Sequence, residues 1–168
     1  MSAGRAIDGG RAPDAPVPAF VGVGSNVGDR AAHVAHAAAA LARTPGVRVV
    51  AMSAVHETEP VGPPGQGPYL NAVVALETTL APRALLAALL AIELERGRDR
   101  ARERRNGPRT LDLDLLCWGG AVPGGDRIDE PGLQVPHPRM HERAFVLVPL
   151  AEVAPGLARS AAASGIHS

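Results

Sequence analysis

The sequence predicts an α/β (α+β) fold: a ferredoxin-like antiparallel sheet with two main helices on one face and no P-loop. Three observations lead there. Periodic segments follow one another in the order β-α-β-β-α-β, the split βαβ pattern. The chain has 168 residues, 46% of them apolar, enough for one core that buries roughly 70% of the unfolded surface. All 17 basic residues are arginine, and without lysine neither a Walker-type phosphate loop nor Schiff-base chemistry is possible.

Residues 1–18 are rich in Gly, Pro and Ala and offer little to bury, so they read as a disordered N-terminal tail. The domain is expected over 19–155. Its first strand, Ala19 to Val23, runs into a Gly-Ser-Asn-Val-Gly-Asp turn in which Asp29 can cap the next helix. That helix, Asp29 to Arg43, has Val34, Ala38 and Leu41 along one side and stops at Thr44-Pro45-Gly46. Val47 to His56 is β-branched and alternating, hence a strand. Thr58 to Pro68 is too rich in Pro and Gly to be regular. Tyr69 to Thr79 forms the next strand. Pro82 opens a helix to about Glu95 with a wide leucine face, ended by Gly97. An arginine-dense loop, 97–108, precedes a strand over Thr110 to Trp118, and Ala144 to Val153 closes the core. The small, polar residues 156–168 read as a weakly ordered C-terminal tail.

Charge narrows function. The 17 acidic residues balance the 17 basic ones, so no overall field attracts nucleic acid or an anionic membrane, and any electropositive site is local. Cys117 is the single cysteine, which excludes an internal disulfide and fits a reducing compartment. No apolar run spans a bilayer and no signal-peptide core is present, so a cytoplasmic protein is expected.

Within Thr110-Leu111-Asp112-Leu113-Asp114-Leu115-Leu116, the strand period of two puts both carboxylates on one face. Their side-chain bases would stand roughly 6 to 7 Å apart, a spacing that suits one or two Mg²⁺. A D-x-D pair can also be a half-exposed alternating strand; what precedes it decides. Seven arginines, Arg96, Arg98, Arg100, Arg102, Arg104, Arg105 and Arg109, stand there against Asp99 and Glu103. Carboxylates for magnesium beside guanidinium for phosphate suit phosphoryl transfer, which needs positioning and charge neutralisation. His137, Arg139 and Arg143 form a second basic group for phosphate oxygens. Tyr69 and Phe145 could sandwich a flat heterocycle whose edge the Asn71 amide reads. His33 and His36 read as an exposed helix face, and Trp118 as packing. An RNA-binding sheet or a non-catalytic small-ligand sensor is the alternative; the first needs mid-strand aromatics that this chain lacks.

These residues resemble the 6-hydroxymethyl-7,8-dihydropterin pyrophosphokinases of folate biosynthesis. The likeness runs from Phe20 to Pro155. It takes in Val23 to Asp29, Glu57 to Gly62 with Gln66, Tyr69 to Ala72, Ile92-Glu93, Gly97-Arg98, Gly107 to Asp114, Pro136 to Arg139 and Glu142 to Leu147. It implies transfer of diphosphate from ATP, the co-substrate, to the pterin hydroxymethyl group with release of AMP, by a monomer without nucleic-acid or membrane partners. By the same resemblance, Asp112 and Asp114 hold two Mg²⁺, and Arg98 and Arg109 act in catalysis. Leu86, Glu93, Arg98, Arg100, Arg109, Leu115, His137, Arg139 and Arg143 bind ATP. Thr58, Glu59, Val61, Tyr69, Asn71, Asp112 and Phe145 bind the pterin, and loops 57–68 and 97–108 close as lids. The chain departs from the family pattern at Leu90, where a Gln is common, at Asn106, where a Trp is usual, and at Gly132.

Overall fold

The computed structural model describes residues 4–60, 62, 64–98 and 109–164. Strand β1 (Val17–Ser25) is central, hydrogen-bonded antiparallel to β4 (Tyr69–Thr78) on one side and β5 (Asp112–Trp118) on the other. β2 (Val47–Met52) and the short β3 (His56–Thr58) both pair with β4, giving the order β2-β4-β1-β5. With α1 (Arg30–Arg43) and α2 (Pro82–Glu95) as crossovers, this is the expected ferredoxin-like arrangement. Asp29 caps α1 as its side chain predicts, accepting from the Ala32 amide at 3.1 Å.

Alternation sorts the core. Ala19, Val21 and Val23 of β1 join Leu113 and Leu115 of β5 beneath Val34 and Leu41 of α1 and Leu85, Leu89 and Ile92 of α2. In β5 the phase then changes. Phe20 pairs with Cys117 but Val21 with Leu115, so Leu116 is the extra residue of a β-bulge. Leu116 and Cys117 consequently pack on the opposite face with Val73, while Trp118 returns to the helix side, its indole N–H donating to the Leu80 carbonyl. Burial pushes the Cys117 thiol up to about 12, so it is an inert core group.

The second face has its own cover, and here the structure corrects the sequence reading. Ala144–Val153 forms a helix, α3, and residues 156–164 of the segment expected to be a weakly ordered tail belong to a further helix, α4 (Pro155–Ser164). Ala158 and Ala161, three apart on α4, are buried against Leu150 of α3 and Met140, because small residues let the two helices approach closely. The N-terminal expectation fails as well. Ile7 donates to the Arg127 carbonyl and packs against the core, and Gly9 is buried. These partners lie about 120 positions away, where local composition gives no sign of them.

A further pair, β6 (Ile128–Glu130) with β7 (Leu133–Val135), forms a separate hairpin beside β5. No helix among the described residues is long and apolar enough to cross a membrane. If α4 is part of the core, Ala161→Leu overpacks it and costs about 1–3 kcal/mol in urea unfolding; a substitution in a loose tail would be silent.

Candidate active site

Strand register builds the site floor. Asp114 stands opposite Gly22 and Asp112 opposite Gly24, and on the other side of β1 Gly24 faces Asn71, which in turn faces His56 of β3. Thr58, Tyr69, Asn71, Asp112 and Asp114 therefore share the sheet face turned away from α1 and α2. Glycine between the acids and the amide keeps a trough open. A Cβ on Gly24 would come within 3.0 Å of Asn71 Oδ1 and 3.4 Å of Tyr69 Cδ1.

A cleft of about 300 Å³ lies over this floor. Thr58, Glu59, Tyr69, Asn71 and Phe145 give it aromatic and hydrogen-bonding walls. The charged lining comprises Asp112, Asp114, Arg98, Arg109, Arg139 and Arg143, with His137 and Glu142. The carboxylates and the cations predicted at Arg98, Arg109, Arg139 and Arg143 thus converge. Arg143 links two of the groups: its guanidinium lies 4.0 Å from Asp114 Oδ2 and 5.4 Å from the centre of the Phe145 ring. Asn71 Nδ2 donates to Thr58 Oγ1, which orients the amide across β3 and β4.

Beside it is a second cavity of about 520 Å³. Leu86 and Leu90 from α2, Leu113 and Leu115 from β5, and Leu133 and Val135 from β7 give it apolar side chains beside the polar Asp114, Gln134 and His137. Asp114 and His137 line both cavities, so the two adjoin. The predicted Leu86 and Leu115 fall here. Leu90, read in the sequence as a departure from the family pattern, adds a further apolar side chain to this cavity.

Two expectations are corrected. Glu93, read as a nucleotide contact, lines neither cavity and is only 1% exposed. Its carboxylate accepts from Arg98 at 3.1 Å and from the Leu113 amide at 2.8 Å. Arg98, 4% exposed, also donates to the Leu111 carbonyl and to Asp112. Glu93 is thus a buried anchor for Arg98 and for the start of β5. The second correction concerns His137, read as part of a basic group. Burial above all, then the positive charge of Arg143, lowers it to about 4 against the pull of Asp112. The ring is neutral near pH 7, and because Nδ1 accepts from the Arg139 amide at 3.2 Å, its proton sits on Nε2.

Asn26 is a site residue that the sequence reading missed. Its side chain donates to Gln66 Oε1 at 3.1 Å and to the Gly67 carbonyl at 3.3 Å, and accepts from the Arg109 amide at 2.7 Å. One amide thus fastens the ends of both predicted loops, with Arg30 adding bonds to the Pro68 carbonyl and Glu57. The signal was an Asn in the turn directly after β1, where a side chain meets loops from both flanks. Val61 and Arg100, with Arg102, Arg104 and Arg105, lie outside the described residues.

No cluster of three or more His, Cys, Asp or Glu converges among the described residues. The donor set is the two partly exposed carboxylates of Asp112 and Asp114. That fits Mg²⁺, which binds through one or two carboxylates and completes its shell with phosphate oxygens and water.

Residues 20–155 match the family described as 7,8-dihydro-6-hydroxymethylpterin-pyrophosphokinase (HPPK). The chain belongs to this family. It is 50% identical over 139 residues to a 2-amino-4-hydroxy-6-hydroxymethyldihydropteridine pyrophosphokinase of Methylorubrum extorquens, covering 83% of this chain and 84% of the relative. Its identity to the protein of that name from Pseudomonas aeruginosa is 47% over 138 residues, 82% of this chain and 81% of the relative. The fold is also that of a crystallised HPPK-DHPS, with TM-score 0.64 and 13% identity. That match covers 90% of this chain and 44% of the longer one.

The depressed His137 ionisation has a stability consequence. Between pH 6.5 and about 4 the unfolded histidine takes up a proton that the folded one refuses, so stability falls as pH drops through that window. In urea unfolding at pH 7 and pH 5, His137→Asn is expected to lose less stability between the two than the parent chain.

Proposed function

We propose that this HPPK-family chain transfers diphosphate from ATP to the hydroxymethyl group of 6-hydroxymethyl-7,8-dihydropterin and releases AMP. The observation that carries the reading is one cleft in which Asp112 and Asp114 face guanidinium groups on one hand and Asn71, Tyr69 and Phe145 on the other. The pterin ring stacks between Tyr69 and Phe145, with Asn71, Thr58 and Glu59 reading its polar edge. Val61 joins this wall by resemblance. The hydroxymethyl oxygen then points at Asp112, which accepts its hydrogen bond. The nucleotide base occupies the apolar second cavity against Leu86, Leu90 and Leu115, so the triphosphate must cross the shared boundary at Asp114 and His137.

Asp112 and Asp114 would hold two Mg²⁺, which supply charge neutralisation on the phosphates and lower the barrier to attack. The hydroxymethyl oxygen releases its proton to water and forms a bond to the β-phosphorus as the α,β-bridging P–O bond breaks, and AMP leaves with the bridging oxygen. Arg98 and Arg109 stabilise charge on the transferring group, Arg139, Arg143 and Arg100 hold phosphate oxygens, and neutral His137 donates from Nε2. Glu93 contributes by holding Arg98. Closure of loops 57–68 and 97–108 would keep water from the triphosphate. By resemblance to its family, the chain acts as a monomer. The single, buried thiol of Cys117 accords with a reducing compartment such as the cytoplasm.

The test is AMP release from ATP with and without the pterin. Asp112→Asn and Asp114→Asn are each expected to cut turnover by orders of magnitude, since metal charge stabilisation is worth several kcal/mol; near-normal turnover in both would sink the assignment. Arg109→Ala should lower kcat far more than it raises KM for ATP, because its charge matters most in the transition state.

A further inference from the structure

The N-terminal segment preceding the family-matched region is docked where it reaches the second cavity from outside. Residues 20–155 carry the family match, yet residues 5–9 are bonded to the β6–β7 hairpin and to α2. The Arg5 amide donates to Asp126 Oδ1 at 3.0 Å. Ile7 donates to the Arg127 carbonyl, and Arg127 donates back to the Arg5 carbonyl, both at 2.8 Å. Gly9 is the junction. Its amide donates to Glu130 Oε2, its carbonyl accepts from the Arg83 amide at the start of α2, and Arg83 Nη2 closes the triangle on Glu130 Oε1, all at 2.8 Å. A Cβ at Gly9 would lie 2.5 Å from Leu133 Cδ2, so the strap rests directly on that side chain.

Leu133 is a wall of the second cavity. Leu86 and Leu90 of α2, a helix whose first turn holds Arg83, line the same cavity. The strap therefore joins two of the elements that line the cavity, the β6–β7 hairpin and α2.

We propose that residues 5–10 are a positioning strap that fixes the width of the base-binding cavity by tying the β6–β7 hairpin to the start of α2. The inference rests on the placement of the ATP base in that cavity. None of the strap residues lines the cleft that holds Asp112 and Asp114, so it acts on nucleotide recognition and leaves the chemical step and the pterin site alone. A slot of fixed width discriminates between bases; a slackened one discriminates less.

The test uses three variants of the full chain, Gly9→Val, Glu130→Gln and deletion of residues 2–10, with a control, Leu86→Trp, that fills the cavity directly. For Gly9→Val and the deletion, KM for ATP is expected to rise about three- to tenfold and the preference for ATP over GTP to shrink, with kcat and the pterin KM within about twofold. Glu130→Gln keeps a hydrogen-bonding side chain and should give a smaller change of the same kind. A fall in kcat or in melting temperature at unchanged KM and unchanged ATP preference would overturn the proposal, since that is how a merely structural segment behaves. Should Leu86→Trp raise KM for ATP while the strap variants leave it unmoved, the strap's role falls and the placement of the base stands. An unaffected Leu86→Trp would remove the base from this cavity, and the proposal with it.

Discussion

Glu93 and Arg98 carry opposite charges in a place almost sealed from water, and the site hangs on how that pair is satisfied. Isolating either charge there would cost several kcal/mol. The pair persists because each group has further partners: Glu93 also takes the Leu113 amide, and Arg98 also takes the Leu111 carbonyl and Asp112. The result is a weld between the end of α2 and the start of β5. The first acid of the site is fixed at that weld, so its direction follows from the core and not from a mobile loop. A carboxylate that must meet a metal within a few tenths of an ångström gains from such a foundation.

The rest of the site follows from spacing on flat sheet. Period two on β5 aims both acids one way, and Gly22 and Gly24 on β1 remove the side chains that would otherwise stand between them and Asn71. Apolar and polar recognition are then kept apart. Leucines from three elements form a slot on one side of Asp114 and His137, and guanidinium, amide and aromatic groups fill the other. His137 belongs at this border. As a neutral ring it can donate to a phosphate without adding to the repulsion among Arg139 and Arg143.

Much of this was legible in the chain. Alternation found Asp112 and Asp114, and the helix stops and Asp29 located α1 and α2, because those features are written in neighbouring residues. The arginine run pointed to Arg98 and Arg109, and the aromatic count to Tyr69 and Phe145. What stayed hidden depends on partners distant in sequence. Glu93 reads as a nucleotide contact until Arg98 folds back on it. His137 looks cationic until burial is known. The strap at Gly9 and the helix at Ala158 and Ala161 draw their order from surfaces that exist only once the sheet has formed. Asn26 was visible as a turn residue, but its role needs two loops to arrive together.

The extra residue at Leu116 divides β5 into unlike halves. Before it, one face is leucine and the other is the open trough; after it, Leu116, Cys117 and Trp118 engage cores on both sides of the sheet. The strand is therefore held at both ends, by the Glu93–Arg98 pair where it begins at Asp112 and by the two cores where it ends at Trp118. Slow solvent exchange then extends from the amides beside Trp118 to that of Leu113, whose acceptor is a carboxylate sealed from water.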